Sequence, residues 1–442
     1  MTVSPHLNWD IESVHKLSER LGEPTGLLNA RLSAHAKLAT TPMPTLLQES
    51  WRRTNPGAIA PRRFKLWHPD MESAILPEDE VSPACCSWLH LHNCNPMTSV
   101  IVTEHHKHAH LFGSLGMAIT TGNAGLIERL TDFPADNDSP ALGLLNQAYY
   151  QGGWFIQIPA YTISDRTIWV RHTVNTPKSA LLPINHIAVG TGAEVNIMAE
   201  TACRTVEPSW LNQRTVVDIN PGGRLHLVVI NQSNEACRFY DHLEIHLSND
   251  SYCRVTWADM TKGWAVIRRE TELTGKGCEA NLKGVHVGIG EGQLDLRTTQ
   301  NHTAPHTTSD LLFKTAMYDQ AGAVFQGMVA VSPEAIKTNA YQLNRNLLMS
   351  ENCHTDSIPK LEILTDDVRC THGTSAGKLQ SEAMFYLMSR GMNEETAMQL
   401  LIEGYLGEVS DFLPEGAVKN YWRNLVFDIN RSALQRHLTS LQ

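Results

Sequence analysis

The chain has 442 residues, of which 42% are hydrophobic and 19% are charged, and its formal net charge is −10. This negative charge argues against nucleic acid as a partner, because phosphate contacts require clustered Lys and Arg, and the one basic cluster, residues 51–65, indicates a solvated loop. No apolar run approaches the ~18 residues needed to span a bilayer, so a membrane partner is not expected.

Length, N-terminus and cysteine usage narrow the class of protein further. The length exceeds what one ordinary core fills, so we expect several domains or one elongated, repetitive architecture. The N-terminus lacks the basic start and apolar core of a signal peptide, which predicts a cytoplasmic protein. The nine cysteines are irregularly spaced and form no C-x-x-C motif, as is typical of reduced thiols.

The N-terminal part of the chain, residues 1–145, is predicted to be mostly helical. Apolar residues recur at helical spacing over residues 11–21, and Gly22 ends that pattern. A second helical region covers residues 122–130 and 141–150.

The pattern changes near residue 152 from a period close to 3.6 to a period of 2. Leu243, Ile245 and Leu247 alternate with polar residues, and similar alternation continues for about 200 residues. Turn sequences interrupt it at intervals of about 15 residues or about twice that. A sandwich, a barrel or a β-solenoid fits such spacing, and a β-solenoid best explains so long a series without helices.

The C-terminal residues, from 376 to 442, return to helical spacing. Asn393 can cap a helix with an acidic first turn, and Gly391 can end the helix before it. Val418 and Trp422 mark the apolar face of a last helix. The predicted plan is therefore an N-terminal helical region, a β-core over residues 146–375, and a C-terminal helical region.

A histidine-rich segment, EHHKHAH at residues 104–110, carries a strong metal signal. On a helix, His106 and His110 would share one face, but the segment lacks the general-base Glu of H-E-x-x-H. We interpret it as a solvated histidine cluster.

Motifs for enzymatic chemistry are incomplete in this sequence. The segment GTSAGKL, residues 373–379, has neither the glycine spacing nor the Ser or Thr of a phosphate-binding loop, and no G-x-S-x-G motif occurs. A polysaccharide-cleaving solenoid would need charged side chains clustered on one strand face. The candidates are Glu270, Glu272, Asp295, Arg297 and Asp310. We expect these to be ordinary solvated charges on the outer face of the solenoid.

Two soft-metal ligands lie close together near the end of the β-core. If residues 368–372 form a strand, Cys370 and His372 project from the same face, whereas Arg369 and Thr371 project from the other. Two ligands do not complete a metal site, and a cysteine considered alone is more often a small buried apolar residue.

Several segments resemble the SufB/SufD family of the SUF iron–sulfur cluster assembly system, and its SufD type in particular. The similarity is sustained from about residue 146 to 410 and is carried by residues 146–159, 323–331, 336–350, 358–379 and 385–392. SufB-type members have a cysteine shortly after the stretch T-N-A-Y. Here Gln342 to Arg345 follow Tyr341, which favours the SufD type.

The resemblance implies a mainly β fold, with a right-handed parallel β-helix core flanked by N-terminal and C-terminal helical regions. It also implies a scaffold subunit without enzyme activity, which pairs with a SufB-like paralogue at the end of the β-helix. The family's Cys-x-His-Gly segment matches residues 370–373. Cys370 and His372 would then contact a transient iron–sulfur cluster whose other ligands come from the partner chain. No cofactor is expected to bind stably to the isolated chain, which we expect to form a homodimer.

By the same resemblance, the C-terminal helices would carry a SufC-like ATPase. Two or three short helices cannot bury all the apolar residues of this tail, so some face another protein and others cover the end of the β-core. The predicted docking residues are Phe385, Tyr386, Arg390, Leu401 and Tyr405. Two alternatives stay open: a SufB-like scaffold that holds the cluster itself, and a β-solenoid carbohydrate-active enzyme.

Overall fold

A computed structural model describes residues 8–68, 86–96, 111–132, 136, 138–164 and 166–440. The histidine cluster at residues 104–110 lies outside the described residues, so its interpretation stays a prediction. No helix in the described ranges is long and apolar enough to cross a bilayer.

The helices lie at the two ends of the chain. They are α1 (Ile11–Leu21), α2 (Thr25–Leu38), α3 (Leu115–Thr120), α4 (Ala124–Thr131), α5 (Pro140–Tyr149), α6 (Ser381–Ser389), α7 (Glu394–Gly407) and α8 (Ala417–Ser440). The predicted caps are confirmed. Gly22 follows α1 in the left-handed conformation, and the Asn393 side chain accepts a hydrogen bond from the Thr396 N–H at the start of α7.

Most of the remaining chain forms strands. They are β1 (Lys65–Leu66), β2 (Cys86–His92), β3 (Asn95–Pro96), β4 (Leu111–Ser114), β5 (Trp154–Ile158), β6 (Thr167–Val174), β7 (Ser179–Leu181), β8 (Ile184–Val189), β9 (Glu194–Cys203), β10 (Ser209–Ile219), β11 (Arg224–Ser233), β12 (Cys237–Leu247), β13 (Tyr252–Thr261), β14 (Trp264–Leu273), β15 (Glu279–Gly288), β16 (Gln293–His302), β17 (Thr308–Met317), β18 (Gly322–Val331), β19 (Asn339–Leu348), β20 (His354–Ile363) and β21 (Arg369–Gly377).

These strands coil into a parallel β-solenoid of about eight turns within the described residues. From β8 onward, strands alternate between two sheets. From β10 onward each strand pairs with the strand two places before it and, up to β19, with the strand two places after it. The first sheet runs in the order β20-β18-β16-β14-β12-β10-β8-β5-β4, and the second runs β21-β19-β17-β15-β13-β11-β9-β6-β2-β3. The prediction of a β-solenoid is confirmed. A sandwich or a barrel would not alternate its strands in this way.

The turns stack in register, which aligns like residues along the solenoid. In the second sheet Val195 pairs with Leu225, which pairs with Cys253 and through it with Ala280. All four point inward and are buried in one apolar cluster. Because a buried Val or Leu contributes about 1.5–3 kcal/mol, this repeated inward face is the main source of stability.

The N-terminal helical region covers the outer face of the first sheet. Trp9 stacks on Trp210 with ring centroids 6.0 Å apart, and Trp51 stacks on Trp264 at 6.3 Å. Both pairs belong to a buried cluster that also contains residues of α1, α2 and α5. This cover removes much of the outer face of the first sheet from water.

The expectation that charges on the outer face are ordinary solvated groups is wrong for Glu270, Asp295 and Arg297. Their side chains are largely buried beneath the N-terminal region and form ion pairs, Glu270 with Arg268, and Arg297 with both Asp295 and Asp138. A long-range cover of this kind leaves no local signal in the strand sequences. Carboxylates held by guanidinium groups are also poorly placed for the polysaccharide cleavage considered above.

The C-terminal helices cover the outer face of the second sheet. Trp422 and Val426 of α8 lie in one buried cluster with Val228 and Val285 of the sheet. The expectation that part of this tail covers the end of the β-core is therefore wrong. The tail lies along the flank, because the outward apolar residues of the second sheet have no other cover.

A buried lysine anchors the C-terminal helices to the solenoid. Lys314 on β17 donates a hydrogen bond to the Tyr405 carbonyl at 2.8 Å and pairs with the Glu408 carboxylate. The Tyr405 hydroxyl donates in turn to the Arg345 carbonyl on β19 at 2.7 Å. Burial lowers the pKa of Lys314, and the hydrogen bond from Lys314 lowers the pKa of Glu408. Together these contacts fix α7 against β17 and β19.

This anchor predicts a pH-dependent contribution to stability. Because the pKa of Glu408 is depressed below its ordinary value of 4.5, the contribution is present above that pH and is lost as pH falls through the folded-state pKa. Glu408→Gln should lower the free energy of unfolding by about 1 kcal/mol at pH 7, since half of the Glu408 side chain is in solvent. Urea unfolding at pH 7 and at pH 3 measures the free energy of unfolding. The difference in this free energy between variant and wild type should be smaller at pH 3.

Glu351→Gln provides the control, because Glu351 is 91% exposed and only approaches Lys378 at 3.7 Å. This control should change stability by less than about 0.5 kcal/mol. A Glu408→Gln effect that matches the control, or that persists unchanged at acidic pH, would show that the anchor does not depend on the ion pair.

Candidate functional site at the open end of the solenoid

The last solenoid turn has free strand edges. In the described part of the chain β20 pairs only with β18, and β21 pairs only with β19. The Arg369 N–H donates to the Thr338 carbonyl at 2.8 Å, which directs this residue toward β19. Because alternate residues of a parallel strand bond to opposite neighbours, the backbone groups of Cys370, His372 and Thr374 point to the free edge.

The two edge strands differ in how well they resist pairing with another chain. β20 contains Pro359, which lacks an N–H, followed by the charged residues Lys360 and Glu362. Proline and charge are common protections of sheet edges. Beyond Arg369, β21 carries only small or uncharged side chains and His372, with no proline. β21 is therefore the edge better suited to accept a further strand.

Cys370 lies half-buried at this edge. It pairs in register with Ala340 and packs against a small apolar cluster that includes Val329, Val331 and Ala335. Burial raises the pKa of the Cys370 thiol, and a backbone hydrogen bond from Ala340 opposes this in part. The resting group is therefore a thiol, and binding a metal through sulfur would release a proton.

Six other cysteines whose side chains are described are buried. They are Cys94, Cys203, Cys237, Cys253, Cys278 and Cys353, and all of them, like Cys370, are free thiols. The prediction of reduced thiols is confirmed for these seven residues. Among them Cys370 alone is accessible enough to serve a partner chain.

His372 is exposed on the same strand face as Cys370. Within the described residues its side chain makes no hydrogen bond or ion pair. In register beneath it lies Gln342, whose side chain is buried although neither of its amide atoms has a hydrogen-bond partner in the described residues. A buried amide left in this state is costly, so the end of the solenoid has polar groups available for a ligand or partner.

The sequence analysis did not single out Gln342 as a functional residue. The sequence does indicate that Gln342 points inward, since Ala340, Gln342 and Asn344 share the inward face of β19 by parity. Inward polar residues continue behind Gln342. The Asn344 side-chain oxygen accepts from Ser357 at 2.5 Å and from Asn346 at 2.8 Å. The interior beside the open end is thus polar, and earlier turns also hold inward polar groups, such as Arg269 with Asp241 and Asp259.

The predicted ATPase-docking residues fall in two places. Phe385 and Tyr386 on α6 are 74% and 56% exposed, and the Arg390 guanidinium lies 5.2 Å from the Tyr386 ring centroid. No residue of α6 is buried. Leu401 and Tyr405 instead line a groove of about 380 Å³ between the C-terminal helices and the ends of β19 and β21.

The Cys370 and His372 pair is chemically incomplete. A thiolate and an imidazole are both ligands for soft and borderline metals, but such centres usually need about four ligands. The Cα atoms of residues two apart on a strand are separated by roughly 6.6 Å. Among the described residues no third His, Cys, Asp or Glu completes this pair as a metal-binding group. The pair can contribute to a centre only if the remaining ligands come from outside the described residues.

The described residues thus form a parallel β-solenoid with an incomplete pair of metal-binding side chains on a free edge. A family model described as "SUF system FeS cluster assembly, SufBD core domain" matches residues 172–405, which is more than half of the chain. The chain therefore belongs to the SufB/SufD family of SUF proteins, which act in iron–sulfur cluster assembly.

Relatives with curated names point to the SufD type. The chain is 28% identical to iron–sulfur cluster assembly protein SufD of Escherichia coli over 53% of its length and 56% of that protein. It is 26% identical to SufD of Bacillus subtilis over 95% of its length and 97% of that protein. A SufBD family protein of Synechocystis is 40% identical over 38% of each chain. The chain thus spans about half or less of the first and third of these relatives, and nearly all of the second. The resemblance to SufD is confirmed.

Proposed function

We propose that this chain is a non-catalytic subunit of a cytoplasmic SUF assembly complex and pairs through its open end with a SufB-type paralogue. The observation that carries the proposal is the free edge of β21, where Cys370 and His372 lie side by side and no third metal-binding side chain joins them among the described residues. Strand addition by a partner would pair the free backbone groups and bring its ligands to Cys370 and His372.

In this proposal the iron–sulfur cluster is cargo that forms at the seam between the two subunits. Cys370 supplies sulfur ligation after loss of its thiol proton, and His372 supplies nitrogen ligation. Neither residue holds a cluster in the isolated chain, because two ligands on one strand leave most of the iron coordination to other donors.

His372→Ala should impair cluster formation without disturbing the fold, because the side chain is exposed and removing it opens no core cavity. In a complex reconstituted with the SufB-type and SufC-type partners, we expect about tenfold less cluster after supply of iron and sulfide. Visible absorption together with iron and acid-labile sulfide analysis measures it.

His354→Ala is the matched control, because His354 is also an exposed histidine at the open end, but it lies on the outward face of β20. This control should form cluster as the wild type does. Equal cluster yield from the two variants, both in fully assembled complexes, would remove His372 from the proposed site.

An unpaired edge predicts self-association of the isolated chain. We expect a homodimer at micromolar concentration that a SufB-type partner displaces, because two copies can satisfy each other's edge. Thr374→Pro should weaken this dimer by about tenfold or more, since proline deletes an edge N–H and places its ring against the incoming strand. Light scattering and sedimentation measure it, with Thr374→Val as the control that keeps the N–H. A monomeric wild type, or a dimer that Thr374→Pro leaves unchanged, would contradict the edge as the contact.

The proposed docking site for a SufC-type ATPase is the exposed face of α6. Phe385 and Tyr386 present large apolar surfaces there, and such residues are frequent anchors of protein interfaces. Phe385→Asp should weaken ATPase binding by about 30-fold while pairing through β21 is retained. Titration of the purified partner measures it. Leu47→Asp, at a 91% exposed leucine of the N-terminal region, should have no effect. ATPase affinity unchanged by Phe385→Asp would place the docking surface elsewhere.

A further inference from the structure

A second group of metal-binding side chains lies on the outer face of the first sheet, far along the chain from Cys370 and His372. His242 and Glu244 are on β12, and Glu270 on β14 pairs in register with Glu244. One ligand atom from each of these three residues lies within 4.8 Å of the other two. His242 is only 1% exposed, and Glu244 is also buried. Buried groups of this kind differ from the acidic clusters common on protein surfaces.

Each of the two carboxylates divides its oxygens between an arginine and a histidine. Glu270 Oε1 pairs with Arg268, whereas Glu270 Oε2 lies 3.0 Å from His242 Nε2. Glu244 Oε2 lies 3.2 Å from Arg214, whereas Glu244 Oε1 lies 3.2 Å from His246 Nε2. One oxygen of each carboxylate is therefore fixed by a guanidinium group, and the other faces an imidazole nitrogen.

The second ring nitrogen of His242 has an arrangement that is common in metal-binding histidines. His242 Nδ1 is buried, has no hydrogen-bond partner in the described residues, and faces Asp136 Oδ2 at 3.9 Å. Histidines that bind metals usually direct their second ring nitrogen to a carboxylate, which fixes the tautomer and orients the ring. Asp136 is itself held in place by the Tyr240 hydroxyl, which donates to the same Oδ2 atom at 2.7 Å, and by Arg268, which pairs with Oδ1.

The balance of charge in this buried region also favours a cation. Asp136, Glu244 and Glu270 supply three carboxylates, whereas Arg214 and Arg268 supply two guanidinium groups. The carboxylates therefore outnumber the guanidinium groups in this region, and unbalanced charge away from water is unfavourable. A divalent cation would compensate that charge.

We infer that His242, Glu244 and Glu270 bind a divalent transition-metal ion of the Zn²⁺ type, with His246 as a further nitrogen donor beside them. A mixed set of imidazole and carboxylate ligands suits Zn²⁺, Co²⁺ or Fe²⁺, whereas Ca²⁺ and Mg²⁺ prefer oxygen ligands alone. At bond lengths of about 2.0–2.2 Å, adjacent ligand atoms lie roughly 3–3.5 Å apart, and the His242 to Glu270 distance falls in this range.

A cavity open to solvent lies beside this group. A cavity of about 550 Å³ opens between α4 and the outer face of the first sheet, and His186, Asp218 and His246 line it. His246 stands between this cavity and Glu244. The ion would link β12 to β14 beneath the N-terminal region and stabilise the packing of that region on the solenoid.

Titration of the full-length chain with Co²⁺ tests the inference, because bound Co²⁺ absorbs visible light according to its ligands. The histidines of residues 104–110 should first be replaced by alanine, so that this sequence cluster does not compete for metal. We expect one equivalent of bound Co²⁺, displacement of Co²⁺ by Zn²⁺, and a higher Tm with Zn²⁺ than with chelator. Glu270→Gln and Glu244→Gln should each weaken binding by about tenfold or more, because each removes a charged ligand while keeping its size.

His354→Ala serves as the control and should leave Co²⁺ binding unchanged. The glutamine variants are expected to fold, which circular dichroism checks, and His242→Asn is a third variant that keeps a polar side chain. Failure of the wild type to bind Co²⁺ or Zn²⁺ would overturn the inference whatever the variants do. Binding that survives both glutamine substitutions in folded protein would overturn it as well. None of these outcomes depends on the function proposed for the open end.

Discussion

A stack of parallel strands satisfies every backbone hydrogen bond except at its two ends. In this chain the two ends of the solenoid differ in the length and direction of their last strands. At the N-terminal end the sheets finish in the short strands β4 and β3, which have four and two residues and run antiparallel to their neighbours. At the C-terminal end the sheets finish in β20 and β21, which have ten and nine residues. A long unpaired edge in an otherwise closed solenoid is a place for another chain, and the candidate site lies there.

The coverage of the two flanks supports the same interpretation of the open end. Helical regions bury the outer faces of both sheets, so apolar surface on the flanks is already used within the chain. The last turn and the helix α6 are among the surfaces that stay exposed in the described residues. Lys314 and Tyr405 attach the C-terminal helices to β17 and β19, and β19 is the strand that carries β21. The surface proposed for the ATPase and the edge proposed for the paralogue are therefore joined by direct contacts.

Much of the fold follows from local patterns, and the rest depends on contacts that no local pattern records. The period of two predicts the strands, and residues such as Gly22 and Asn393 mark helix ends by their own conformational preferences. Parity predicts that Cys370 and His372 share a face. The burial of Glu270 could not be predicted in this way, because its cover comes from a distant part of the chain. The register between β12 and β14 places Glu270 beside Glu244. The sequence of either strand alone does not predict this pairing.

Hydrogen exchange of the β21 backbone tests most directly whether this strand edge is the seam with a partner. The N–H groups of Cys370, His372 and Thr374 should exchange rapidly in dilute, isolated chain and become protected in the complex with a SufB-type partner. The N–H groups of β11, which is paired on both sides, should be protected in both states. Rapid exchange of all three β21 groups in a fully formed complex would contradict the account.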